Sequence, residues 1–218
     1  MSYLLAIVIA AALGYFLGSL NFSIIIVKIM TSKDIREMGS NNAGLTNTYR
    51  CAGKTCALLT LVGDVLKSVL AVTLAMMFAN LLKAGINGDV KYIEYIAGIG
   101  AVMGHIFPIY YGFKGGKGVL AGASSFIIID PKVFISILAI FIVILAISKY
   151  VSLASIFSAA YCPIAVFLMS LIVENESIGI VILHTLFSAV MAGVIIWKHK
   201  PNIDRLLAGT ENKFVFRK

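Results

Sequence analysis

Residues 3–27 read YLLAIVIAAALGYFLGSLNFSIIIV. No charged side chain interrupts the run, and the first lysine of the chain is Lys28. About 20 mostly apolar residues suffice to carry a helix across the hydrocarbon core of a bilayer. Inside lipid such a segment must be helical, because only then are its backbone N–H and C=O groups satisfied within it. A secretory signal peptide would need a basic start and a shorter apolar core. The run is therefore expected to be a retained first span.

The same pattern recurs along the chain. Apolar runs cover roughly Cys56–Leu82 (broken by Asp64 and Lys67), Ile93–Ile109, Val119–Ile129, Val133–Ile147, Ser152–Val173 and Ile178–Trp197. The whole chain is 60% hydrophobic and 13% charged, whereas soluble domains hold about 25% charged residues. A soluble fold of this size has too much surface to hide so much apolar material. These features predict an all-α, polytopic integral membrane protein in one embedded domain over residues 1–218, with seven transmembrane helices. Two of the runs are short. Asp130-Pro131 separates them, an N-cap residue followed by a residue suited to the first helical position, so the pair forms either two thin, tilted spans or a re-entrant hairpin.

Basic residues set the orientation. With the N-terminus outside, 14 of the 18 Lys and Arg residues fall on inner segments, three (Lys83, Lys91 and Lys132) on outer ones, and Lys67 inside a span. The C-terminus is then cytosolic. This bias also accounts for the net charge of +8, so no nucleic-acid partner is expected. The three cysteines, Cys51, Cys56 and Cys162, form no C-x-x-C pair and read as small apolar fillers.

The inner segments are unusual in composition. The first carries three Asn, two Gly and a Ser between Gly39 and Asn47, followed by Arg50. Gly, Ser and Asn let backbone N–H groups converge on an anion, and an arginine can clamp phosphate with two parallel bonds; the bland alternative is a solvated loop. The second reads Phe113-Lys114-Gly115-Gly116-Lys117-Gly118. It is not a Walker A loop, because Tyr111 stands at the first Gly position and Gly118 at the Ser/Thr position. It is either an anion site or a basic flanking turn. The third runs from His199 to Lys213, where a positive-inside tail explains the lysines but not His199, Asn202 or Glu211. Asp64 and Lys67 lie at i, i+3 spacing in a span, which marks a functional interior or an equally plausible structural pair. Ser152, at an inner helix end, either donates its hydroxyl hydrogen bond to a phosphate or is a plain cap. His105 and Pro108 close the third run beside the second motif, and His184 reads as a packed histidine. No G-x-S-x-G elbow and no metal-spaced ligand cluster occurs, so neither a metal nor a cofactor is expected.

Taken together and in order, the three inner segments resemble the bacterial acyl-phosphate:glycerol-3-phosphate acyltransferases, the PlsY family. The first motif, close to G-S-x-N-x-G-x-T-N-x-x-R, is matched by Gly39, Ser40, Asn42, Gly44, Thr46, Asn47 and Arg50. The second, F-K-G-G-K-G, is matched by Phe113 through Gly118. The third is matched by His199, Asn202, Ile203, Arg205, Leu206, Gly209, Glu211 and Lys213. Two departures are Asn21, where the family often has Pro, and Leu45, where a smaller residue is common.

The resemblance implies transfer of an acyl group from acyl phosphate to the 1-hydroxyl of glycerol 3-phosphate. The products are lysophosphatidate and inorganic phosphate, made at the cytosolic face of a bacterial inner membrane in phospholipid synthesis. It further implies a catalytic set of His199, Asn202, Ser40 and Arg50. Substrate contacts would come from Gly39, Asn42, Gly44, Thr46, Asn47, Lys114, Gly115, Gly116, Lys117, Gly118, Ser152 and Glu211. Arg50, Lys114, Lys117 and Ser152 would hold the phosphate of glycerol 3-phosphate, and Glu211 would brace a basic partner. Two other readings stand beside this one. His199 and Asp204 meet the H-x-x-x-x-D spacing of another acyltransferase type, whose soluble catalytic domain has no room here. A small transporter or channel would also have several spans and an intramembrane charge pair, yet transporters more often carry repeated halves and midplane polar sites.

Overall fold

The computed structural model describes residues 2–84 and 90–215. Arg217 and Lys218 of the basic tail lie outside them. Among the described residues the chain is helical without strands, and two compact units can be distinguished, Met1–Ile129 and Asp130–Lys218.

In the first unit, α1 (Ser2–Gly18) and α2 (Phe22–Thr31) divide the opening apolar run. The expected single span is thus interrupted at Ser19–Asn21. The cause is local: Asn21 takes an extended backbone conformation and its side chain accepts the Ile24 N–H, capping α2. The helix α3 (Leu45–Leu81) begins 11 residues before the apolar run at Cys56, so the end of the first polar motif is helical. It comprises two helical stretches that meet at Gly53, whose φ of +87° and ψ of −177° suit glycine alone. Open space surrounds the position of a Gly53 Cβ. Gly53→Ala should therefore cost only the conformational strain, about 1–3 kcal/mol, measured as a lower thermal unfolding midpoint in detergent.

The helix α4 (Lys91–Ile106) is the most enclosed and packs along α1. Gly14 and Gly18 of α1 face Ala97, Gly100, Ala101 and Gly104 so closely that a methyl group at Gly14 or Gly104 would overlap backbone carbonyls of the partner helix. Small residues four apart on both partners allow the backbones to touch, which drives helix association where lipid is as apolar as leucine. The helix α5 (Val119–Ile129) packs on α3 and α4. It has 11 residues, roughly 16 Å at 1.5 Å per residue, about half the thickness of a bilayer core.

In the second unit, α6 (Pro131–Ser148) starts at the expected cap, with Asp130 accepting the N–H groups of Lys132 and Val133. The helix α7 (Val151–Leu168), extended by a π-helical turn at Met169–Val173, lies between α6 and α8 (Ile178–Lys198). A short amphipathic helix, α9 (Lys200–Leu207), follows directly. Six helical segments among the described residues are long and apolar enough to cross a membrane. The short α5, the remaining one of the seven apolar runs of the sequence, falls below that length.

Candidate active site

In the first unit, the segment between α2 and α3 is wound around one side chain. The Asn47 amide donates to the carbonyls of Ile35 (3.2 Å), Met38 (2.9 Å) and Asn42 (3.1 Å), and its oxygen accepts the Ser40 N–H (3.0 Å). Asn47 is buried. Its polar atoms therefore shape the loop, leaving Ser40 and Asn41 exposed at the rim. Gly44 is the N-cap of α3 without a side-chain cap. The free N–H groups at a helix start, with the positive end of its dipole, suit an anion. Thr46 and Asn42 flank that start, half-buried.

Arg36, absent from the sequence-based expectations, joins this loop to the second motif. Its Nε and Nη2 bind the Asp34 carboxylate (2.7–3.1 Å), and Nη1 donates to the carbonyls of Tyr111 (2.7 Å) and Lys114 (3.3 Å). The Arg36 hydrogen bonds hold the Asp34 carboxyl below its ordinary value. Arg36 is thus fully engaged in structure. The side chains of Arg50, half-buried on the first stretch of α3, and of the exposed Lys114 have no hydrogen-bond or ion-pair partner among the described residues. Lys117, half-buried in the same glycine-rich turn, is partnered.

The amides of two glycines of the second motif are taken up by the backbone. Gly115 N–H donates to the Ile106 carbonyl (3.1 Å) and Gly116 N–H to the His105 carbonyl (3.0 Å), terminating α4. A methyl group at Gly116 would overlap both the His105 ring nitrogen Nε2 and the Ala43 carbonyl of the first loop. Their contribution is close approach, which brings the two motifs together. Gly118, at positive φ, leads into α5.

The second unit carries a polar cluster of its own. The Glu211 carboxylate accepts from Arg205 Nε (2.6 Å), Asn202 Nδ2 (2.8 Å) and Ser152 Oγ (3.0 Å). This ties the C-terminal segment to α9 and to the start of α7. Burial alone would raise the Glu211 carboxyl, but the bonds from Asn202, Arg205 and Ser152 outweigh it and hold the group below its ordinary 4.5. A carboxylate lowered by folding stabilises the fold above its unfolded pKa, and that stability is lost as pH falls through the lower folded value. Glu211→Gln should accordingly flatten the dependence of thermal stability on pH below about 4.5, measured by unfolding scans across the acid range.

His199 is buried where α8 passes into α9, and its Nδ1 lies 2.8 Å from the Ile195 carbonyl. A carbonyl can only accept, so the neutral ring carries its proton on Nδ1 and leaves the lone pair on Nε2. That contact fills the place an orienting carboxylate would take, and Asp204 is exposed; the H-x-x-x-x-D spacing therefore does not build a His199–Asp204 dyad.

Known proteins similar to this one cover nearly its whole length. Residues 8–209 fit the family model described as glycerol-3-phosphate acyltransferase. A glycerol-3-phosphate acyltransferase of Clostridioides difficile (strain 630) is 39% identical over 94% of this chain and 94% of its own. The enzyme of that name from Shouchella clausii (strain KSM-K16) is 37% identical over 96% and 97%. The fold is similar to the crystal structure of PlsY (YgiH), an integral membrane glycerol 3-phosphate acyltransferase, in its glycerol 3-phosphate form. The TM-score there is 0.79 at 29% identity, covering 96% of both chains. The lysophosphatidic acid form of that protein gives 0.77 at 28% identity, over 96% of this chain and 95% of that one. A transporter or channel has no place among these relatives. With six membrane-length apolar helices and relatives of this kind at full length, the chain is an integral membrane acyltransferase and belongs to the glycerol-3-phosphate acyltransferase family.

Proposed function

We propose that this protein transfers an acyl group from acyl phosphate to the 1-hydroxyl of glycerol 3-phosphate, releasing lysophosphatidate and inorganic phosphate. The observation that carries the reading is the division among the basic residues of the polar loops. Arg36 is consumed by Asp34 and two carbonyls, whereas Arg50 and the Lys114 side chain are left without partners among the described residues. Cations without acidic partners, next to an uncapped helix start, fit ligands that bring their own negative charge. Both substrates do so.

An acyl phosphate is a mixed anhydride and already activated, so no acyl-enzyme is required. The protein's task is to hold two like-charged substrates together and offset their repulsion. In this reading Gly39, Ser40, Asn42, Gly44 and Thr46 receive the acyl-phosphate head at the start of α3, with Asn47 shaping that loop. Arg50, Lys114 and Lys117 hold the phosphate of glycerol 3-phosphate, with Gly115, Gly116 and Gly118 setting the path of the second loop. His199 and Asn202 orient the attacking hydroxyl. The Nε2 lone pair of His199, or the departing phosphate, takes the proton. Glu211 and Ser152 brace Asn202. The acyl tail lies among the apolar helices. Residues 1–218 act as one membrane-embedded acyltransferase in the bacterial inner membrane, with N-terminus outside and C-terminus and reaction on the cytosolic side.

The test is turnover by purified protein in lipid nanodiscs with labelled glycerol 3-phosphate. Lysophosphatidate and phosphate are expected with acyl phosphate and not with acyl-CoA or acyl carrier protein. Turnover with either of the latter donors at an equal rate would sink the donor assignment.

A further inference from the structure

At the break between α1 and α2 lies a buried ionic cluster that the proposed reaction does not use. Asp64, Lys67 and His105 are 1%, 3% and 4% exposed. The Lys67 ammonium has three protons, and each meets an acceptor: Asp64 Oδ1 at 2.7 Å, the Leu20 carbonyl at 2.8 Å and His105 Nδ1 at 2.9 Å. Asp64 Oδ1 also faces the Phe22 N–H at 3.4 Å. The pair thus serves two of the backbone groups released where the helix breaks, the Leu20 carbonyl and the Phe22 N–H, as interrupted membrane helices require. Because Nδ1 of His105 accepts from lysine, the neutral ring carries its proton on Nε2, the edge that abuts Gly116.

From here the contacts close into a circuit. Leu20, held by Lys67, precedes Asn21, and Asn21 Nδ2 donates to the Ala43 carbonyl (3.3 Å) in the first loop. That carbonyl and His105 Nε2 together fill the space beside Gly116, and the Gly116 N–H donates to the His105 carbonyl (3.0 Å). The path runs from Lys67 through Leu20 and Asn21 to Ala43, across to Gly116 and back through His105.

We propose that Lys67, Asp64 and His105 are positioning residues that set the first polar loop against the glycine-rich loop, and that this register determines affinity for glycerol 3-phosphate; the inference rests on the phosphate-binding reading of those two loops. All three are buried. They act through Ala43 and Gly116, one of the places where the loops meet. A pair that only stabilised the bundle would need no contact with either loop. Displacing a binding element by about 1 Å can lower catalytic efficiency by about a hundredfold.

The experiment uses the full chain in nanodiscs, with Asp64→Asn/Lys67→Met to remove both charges together. Kinetic constants for glycerol 3-phosphate are measured beside thermal unfolding with and without that ligand. A cooperatively folded double variant with KM raised about tenfold and kcat/KM lowered about a hundredfold is expected. Asn21→Ala, which keeps the ion pair intact, should raise the same KM, and the two changes should be non-additive because they cut one circuit. A folded double variant with unchanged constants overturns the inference. So does a fall in activity that merely follows the folded fraction at constant KM. If the double variant does not fold, Asn21→Ala decides in the same way: a raised KM supports the circuit and an unchanged KM overturns it. An unmodified protein that neither turns over nor is stabilised by glycerol 3-phosphate would instead overturn the phosphate reading, and the inference with it.

Discussion

Arg50→Ala is expected to lower kcat/KM for glycerol 3-phosphate by about 10²–10³-fold while leaving the unfolding midpoint nearly unchanged. The stability half of this prediction follows from the Arg50 side chain having no hydrogen bond or ion pair among the described residues, so its loss orphans nothing within the fold. The activity half follows from the fork of a guanidinium on a phosphate. Two charge-assisted bonds at about 1.5–3 kcal/mol each, partly replaced by water, leave a loss of about 3–4 kcal/mol. Arg50→Lys keeps the charge but not the fork, and should recover part of the loss. Steady-state kinetics over a range of glycerol 3-phosphate concentrations check both variants. An Arg50→Ala protein with wild-type kcat/KM would remove Arg50 from the site. Arg36 makes a useful contrast: its alanine variant should lose stability as well as activity, because it severs Asp34, Tyr111 and Lys114 at once.

Lys67→Met alone should be the most destabilising substitution considered. It leaves the Asp64 carboxylate 1% exposed without its ammonium and removes the donor to the Leu20 carbonyl. Breaking a buried ion pair from one side costs about 3–5 kcal/mol, a large part of the roughly 5–15 kcal/mol that holds an ordinary domain together. Little monodisperse protein is expected after detergent extraction. Adding Asp64→Asn should restore most of the yield, since the uncompensated charge is then gone. Size-exclusion profiles and unfolding midpoints of the single and double variants give the comparison. Equal yields for the single and double variants would show that the charge of Asp64 is not the source of the damage.

Much of the architecture was readable before folding was considered. The runs at Val119, Val133 and Ile178 correspond to α5, α6 and α8 within a few residues, because an uninterrupted apolar stretch in lipid has one conformational solution. Polar segments were harder. The first motif reads as a loop by composition, yet Leu45 onward is helical, since the packing of α3 on its neighbours outweighs the weak propensities of Thr46, Asn47 and Thr48. The break at Ser19–Asn21 had only one advance sign, an asparagine inside an apolar run. Arg36 had none. Its value comes from carbonyls some 75 residues away at Tyr111 and Lys114.

What the amino-acid order determined by itself was the membrane-spanning character, the sequence of three polar motifs and, through them, the family. Those properties depend on local composition and spacing. What only the tertiary structure decided was the division of labour among polar residues that look alike on paper. Asn47, Arg36 and Ser152 are committed to other protein groups, whereas Arg50 and the Lys114 side chain remain available. The amides of Gly115 and Gly116 close α4 instead of facing a ligand. The physical reason is common to all of them. A polar group's role depends on which partner satisfies its hydrogen-bonding capacity, and here those partners are brought near only when helices distant in the chain pack together.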